Sequence, residues 1–463
     1  MRSRIVQLPF IIVHTQHHQT MACLQSDRQQ RRYGMNEPID KREAPVNSPM
    51  KILLASLIGT TIEYFDFYIF GTAAVLVFPK LFFAASDPSV AVLQSLATFG
   101  LAFVARPVGS AVFGHFGDRI GRKATLVASL LTMGVSTVLI GLLPSYAAIG
   151  IAAPIMLAVL RFGQGLGLGG EWGGAILLAT ENAPPEKRAW YGMFPQLGGP
   201  IGFFMSGSVF LALTTQLPEA DFLDWGWRIP FVASALLVVV GLYVRLTISE
   251  TPQFQKIMAM KSRVKVPILT VITQHPRSLM LGMMSGLGQF VLFYLMTVFT
   301  LSWATTSLGY ARQDFLVLQL IAVVFFGLFI PIAAKISDAK GRTHALTLGA
   351  VGICILGLLL GPMLQAGNIT TLLALSIGMA LMGMCFGPLG ALMSDLFPTE
   401  VRYTGASLTF NLSAIVGASF APYIATWLAT HFGLQFVGYY LSGMAAISVM
   451  ALLAVKKQNS SFS

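Results

Sequence analysis

GHFGDRIGRK, residues 114–123, packs five charged or titratable groups and three glycines into ten residues. It stands between two long apolar stretches. A related run, AKISDAKGRT, stands between two others at 334–343. Asp118, Gly121 and Arg122 recur as Asp338, Gly341 and Arg342, a shift of 220. A second pair repeats at nearly the same offset. Glu181, Pro184, Glu186 and Arg188 of ENAPPEKR (181–188) recur as Asp395, Pro398, Glu400 and Arg402 of DLFPTEVR (395–402), a shift of 214. Two independent motifs with almost one offset indicate an internal duplication.

Outward from these loops the chain is oily. Of its 463 residues, 55% are hydrophobic and 11% charged, against roughly 25% charged in soluble domains. Apolar stretches of about 20 residues read as membrane-spanning helices, and twelve are expected, over 51–78, 90–114, 122–143, 149–180, 190–214, 228–248, 278–307, 314–336, 344–364, 370–394, 404–430 and 434–455. The expected fold class is an all-α membrane protein of two pseudo-symmetric six-helix bundles. The expected organisation is a tail at 1–50, a first bundle at 51–248, a linker at 249–277, a second bundle at 278–455 and a tail at 456–463.

The +11 net charge is topological. With both termini in the cytoplasm, the cytoplasmic segments hold 25 of the 30 Lys and Arg. Lys80, Arg228 and Arg312 fall on the other side, and Arg106 and Arg161 within helices. That bias follows the positive-inside rule and argues against a nucleic-acid surface. Met35 reads as the natural start, with 1–34 an over-extended reading frame. Cys23, Cys354 and Cys385 form no disulfide or metal pattern. Gly165-Leu-Gly167-Leu-Gly169-Gly170 fits G-x-G-x-x-G but follows no strand, so it is not read as a dinucleotide site. Glycines 165, 169 and 173 instead allow close helix approach. No Walker motif and no nucleophile–base or metal constellation is found, so neither an ATP-driven pump nor an enzyme is expected.

The signature loop resembles that of the major facilitator superfamily. ARPVGSAVFGHFGDRIGRKATL, RFGQGLGLGGEWGGAILLATENAPPEKR and WGWRIPF resemble its metabolite–proton symporter branch, with similarity from about residue 50 to 455. The resemblance implies a bacterial inner-membrane secondary transporter working by alternating access. It implies proton-coupled uptake of a small carboxylate or zwitterion, with the proton gradient as energy source, no cofactor or metal, and action as a monomer in the lipid bilayer. A drug–proton antiporter is the alternative, although GGPIGFF (198–204) departs from the antiporter element G-P-x-x-G-G. The resemblance also implies a cytoplasmic gate of Asp118, Arg119, Gly121, Arg122, Lys123, Glu181, Arg188, Asp338, Arg342, Asp395 and Arg402. Of these, Gly121 suits a tight turn, and Asp118 can cap the following helix or pair with a cytoplasmic Arg.

Charges inside the bilayer are expensive, at about 2.5–3.5 kcal/mol each at helix centre. Glu63 and Asp66, in GTTIEYFDFYIFG (59–71), share one helix face. Arg106, Arg161, Gln164 and Glu171 are their candidate neighbours. Rise per residue puts Asp66 at the height of Arg161, and Arg106 at that of Glu171. Two ion pairs, Asp66–Arg161 and Arg106–Glu171, are therefore expected. By resemblance to sugar–proton symporters, Asp66 is the protonation site. The second half offers Gln289, Tyr294, Gln319, Asn411 and Ser413, of which Gln289 and Asn411 either orient a polar substrate or make interhelical hydrogen bonds.

Overall fold

The computed structural model describes residues 49–83, 88–247 and 266–460. The expected start at Met35 and most of the expected linker lie outside them. Among the described residues every regular element is a helix, and twelve helices are long and apolar enough to cross a membrane. They are α1 (Pro49–Leu76), α2 (Pro88–Arg119), α3 (Arg122–Gly141), α4 (Ala152–Glu181), α5 (Arg188–Gln216), α6 (Arg228–Leu246), α7 (Pro276–Tyr294), α8 (Arg312–Lys340), α9 (Arg342–Gln365), α10 (Asn368–Asp395), α11 (Arg402–Ala414) and α12 (Leu434–Ser460). A π turn carries α7 on into Thr300–Ser307, and another carries α11 on into Ala421–Phe432. Such turns often mark functional positions in helices.

Several helices run past the ends that hydropathy gives. The second reaches Arg119 rather than residue 114, so Asp118 is helical. A short helix, Pro267–Gln274, occupies part of the expected linker. Leu236, Val239, Val104 and many similar side chains stay more than half exposed on the outer faces. Such a surface suits lipid, since soluble proteins rarely expose contiguous apolar patches of that extent.

The duplication is visible in the packing. In the first half α1 packs on α5, α2 on α4, and α3 on α4 and α6. In the second half α7 packs on α11, α8 on α10, and α9 on α10 and α12. The halves meet through α2 against α11 and α5 against α8, equivalent pairs under the repeat. Gly121 (φ 134°) and Gly341 (φ 94°) make the two tight turns that follow α2 and α8. Such φ values disfavour residues with a Cβ, which explains why glycine recurs there. Gly165 and Gly169 lie against the backbone of α2, whereas Gly173 lies against Ser407 of α11.

Candidate transport site and gate

Between the halves lies a cavity of about 30 Å³, room for a water molecule or two. The first half lines it with Tyr64, Phe67 and Tyr68 of α1, Arg106 of α2 and Gly199 of α5. The second half contributes Phe290, Phe293 and Tyr294 of α7, Phe326 of α8, Met382 and Phe386 of α10, and Phe410 of α11. Arg106 is the only charged residue in this wall. Its guanidinium lies 4.5 Å from the Phe67 ring centre and 5.1 Å from that of Phe103. It makes no ion pair among the described residues.

Helix α1 therefore has two distinct faces. Its tyrosines and Phe67 meet the cavity, and its two acids turn into the interior of the first bundle. Asp66 is fully buried, and its Oδ1 accepts a 2.6 Å hydrogen bond from Ser234 of α6. Thr137 of α3 is the other hydroxyl that acts on this carboxylate. The expected Asp66–Arg161 ion pair does not form. The Arg161 guanidinium is enclosed by Phe70 (3.9 Å), Phe67 (4.9 Å) and Phe99 (4.9 Å). It donates to Gln164 Oε1 at 2.5 Å and to the Phe99 carbonyl at 3.4 Å. Gln164 Nε2 in turn donates to Thr137 Oγ1 (2.7 Å) and to the Asp66 carbonyl (3.3 Å). An amide thus stands where a direct charge pair was expected.

The expected Arg106–Glu171 pair is also replaced. Glu171 Oε2 accepts from Arg245 Nη1 (2.9 Å) and from Ser129 Oγ (3.0 Å), and a second Arg245 nitrogen meets Oε1. Arg245 also donates to the Leu126 carbonyl at 2.7 Å. It was counted with the cytoplasmic charges because it is the last residue but one of α6, yet it is 4% exposed. Its side chain passes beside Gly59, one turn before Glu63. Glu63 is buried with Oε2 unpartnered, and Arg106 and Arg245 are the cations that act on it.

The residues expected to form a gate come together at the end of the molecule bearing the repeated loops. Asp118 does not cap α3, the helix after it. Its Oδ2 accepts from the Thr404 backbone N–H (3.0 Å) and hydroxyl (2.8 Å), and its Oδ1 from the Tyr403 N–H (3.3 Å). A residue of the first half thus caps the start of α11 in the second. Asp338 does the converse, accepting from the Ala189 and Trp190 N–H groups of α5 at 2.9 Å each. Arg122 is fully buried and donates to Asp118 (2.9 Å), the Gly117 carbonyl (2.7 Å) and, across the halves, the Thr399 carbonyl (3.4 Å). Glu181 lies between Arg122 (3.6 Å) and Arg402 (3.9 Å), and Asp395 between Arg188 (3.0 Å) and Arg342. Arg119 instead contacts His115, and Lys123 donates to the Leu246 carbonyl.

Deeper in, Asn411 donates to Ser110 Oγ (2.7 Å) and to the Gly169 carbonyl (3.3 Å), tying α11 to α2 and α4. Tyr403 donates to the Gly170 carbonyl at 2.6 Å. Trp172 stacks on Phe410 at 3.7 Å between ring centres and donates to Gln196, which donates to the Phe386 carbonyl. Gln289 is 2% exposed with both amide atoms unpartnered and does not line the cavity. Sequence reasoning missed Arg245, Ser129, Ser234 and the cavity tyrosines Tyr64 and Tyr68. Tyr64 and Tyr68 could have been found from their spacing, one turn apart beside the acids.

Comparison with known proteins agrees with this architecture. The sequence model of the Major Facilitator Superfamily matches residues 56–418. The inner membrane metabolite transport protein YhjE of Escherichia coli is 56% identical over 420 residues, covering 89% of this chain and 96% of that protein. The shikimate transporter of E. coli is 33% identical over 90% of this chain and 97% of its own length. The proline/betaine transporter of E. coli is 33% identical over 91% and 87%. The solved proton:xylose symporter XylE bound to 6-bromo-6-deoxy-D-glucose superposes with a TM-score of 0.73 at 19% identity, covering 88% of this chain and 95% of XylE. With twelve spanning helices in two equivalent sets of six and that family match, the chain belongs to the Major Facilitator Superfamily and is a multi-pass membrane transporter rather than an enzyme.

Proposed function

We propose that the protein takes up a small organic carboxylate or zwitterion together with protons, by alternating access, with the gate loops on the cytoplasmic side of a bacterial inner membrane. The carrying observation is Arg106, a guanidinium in the wall of the central cavity with no carboxylate partner. A desolvated guanidinium recruits an anion, and a substrate carboxylate fits it in a bidentate mode. Glu63 is the internal competitor, since its buried carboxylate lies within the field of Arg106. A proton on Glu63 removes that competition and leaves Arg106 to the substrate. Proton and substrate then bind together, which is the requirement for symport. Asp66, held by Ser234 without a cation beside it, is the second carboxylate able to take a proton. Relatives named for shikimate and for proline or betaine support a small organic acid or zwitterion.

The test is uptake into proteoliposomes of a panel of carboxylates, betaines and amino acids, with and without an inward proton gradient. Accumulation should follow the gradient for at least one member, and Glu63→Gln should uncouple it while exchange persists. Accumulation that ignores the gradient would remove proton symport.

A further inference from the structure

We infer that the substrate is an amphipathic monocarboxylate: one carboxylate received by Arg106 and neighbouring tyrosine hydroxyls, on a flat, uncharged, apolar body that lies against the phenyl wall of the second half. The inference deepens the proposed function and rests on it.

The number of available cations sets the number of carboxylates. Three arginines are buried among the helices of the first bundle near the site. Arg245 is held by Glu171. Arg161 is fully buried, boxed by three rings and bonded to Gln164. Only Arg106 reaches the cavity. One guanidinium offers one bidentate seat. A second carboxylate on the substrate would lie in a wall without another cation, as a buried and unpaired charge, which is strongly unfavourable.

The distribution of polar groups sets the body. Tyr64, Tyr68 and Tyr294 line the same cavity and lie within the field of Arg106, and their hydroxyls make no hydrogen bond among the described residues. These donors add to the guanidinium in the cavity wall. The facing wall is Phe293, Phe326, Met382, Phe386 and Phe410. Its rings run in sequence, with Phe293–Phe326 at 6.1 Å, Phe326–Phe386 at 5.6 Å and Phe386–Phe410 at 6.3 Å. No Asp, Glu, Asn or Gln belongs to the lining. A primary ammonium or a ring bearing several hydroxyls would therefore lose hydrogen bonds to water that this wall does not replace. A planar ring keeps ring-to-ring contact at the geometry that aromatic groups favour. A quaternary ammonium can also sit on ring faces, but here it would lie close to Arg106 with no acid in the wall to balance it.

The test is direct binding, because benzoic acid crosses bilayers unaided. The full-length protein, purified in detergent, is titrated by calorimetry with benzoate, benzamide, cyclohexanecarboxylate, succinate, citrate, shikimate and glycine betaine. Benzoate is expected to bind most tightly, and benzamide about tenfold or more weakly, the loss of one charge-assisted contact. Arg106→Gln should erase the preference for benzoate over benzamide. Phe386→Ser should weaken benzoate and cyclohexanecarboxylate alike. The ligand ranking in the unaltered protein stands even where a variant does not fold. Tighter binding of citrate, succinate, shikimate or betaine, or no binding of benzoate, overturns the inference. Gradient-driven accumulation of one of those polar solutes would overturn it and leave symport intact. Binding of benzoate with no gradient response by any solute would overturn symport instead.

Discussion

Gly117→Ala should push the transporter out of the state in which its gate end is closed. A Cβ at Gly117 would lie 2.5 Å from both Cδ2 and Cε2 of Tyr403 and 3.0 Å from Cγ. The ring has nowhere to retreat. Tyr403 is fully buried, its hydroxyl donates to the Gly170 carbonyl at 2.6 Å, and its N–H is bound by Asp118. Overpacking of this kind costs about 1–3 kcal/mol. Gly117 belongs to the first half and Tyr403 to the second, so the clash is relieved when the halves part at this end. A middle value of about 2 kcal/mol shifts the closed-to-open ratio roughly 30-fold. The reporter is Ser407→Cys, on the buried face of α11 against Gly173, in a background without Cys23, Cys354 and Cys385. Labelling by a membrane-impermeant maleimide from the gate side should speed up by about tenfold or more. Gly100→Ala is the control, since a Cβ there meets nothing within 4 Å. Equal labelling rates in the two variants would refute the reasoning.

Three further outcomes are expected. Glu171→Gln and Arg245→Gln should each lower thermal stability in detergent, by about 3 kcal/mol, because each leaves a buried charge alone; the double variant should lose less than the sum, and strict additivity would show that the two do not act as a pair. Asp118→Asn and Asp338→Asn should each bias the gate open by about 1 kcal/mol, read by the same thiol reporter, and no change in both would exclude the capping role. Asp66→Asn should lose gradient-driven accumulation while substrate exchange survives; normal accumulation would take Asp66 out of the coupling step.

Hydropathy made the twelve helices legible because lipid imposes long apolar runs on each of them. The paired loops made the duplication legible, since Asp118 and Asp338 serve mirrored tasks. The charge partners were not legible. Rise per residue gives the height of Asp66 and Arg161, and helix period gives their azimuth, but neither says which neighbour each meets. Asp66 turned toward α6 and found Ser234, while Arg161 met the adjacent rings Phe67 and Phe70 of the same helix. Arg245 escaped notice for a related reason. A long side chain near a helix end can reach well into the bundle, so position along the chain assigned it to the loop and its guanidinium belongs to the core. Asp118 looked like a cap for its own hairpin because sequence shows only local partners; the helix it caps begins 284 residues later, at Arg402.

The exchange of caps between the halves bears on turnover. Each half leaves the first N–H groups of one of its helices, α5 or α11, to be completed by an aspartate of the other. These helix starts lie at an end of the molecule, where α2, α4, α8 and α10 also finish. When the halves separate there, water can take the place of each carboxylate. Exchanging a protein acceptor for water changes free energy by only about 0.5–1.5 kcal/mol per bond. The closure is therefore specific in its partners and shallow in its depth, a combination that lets a carrier hold one orientation and still leave it on every cycle.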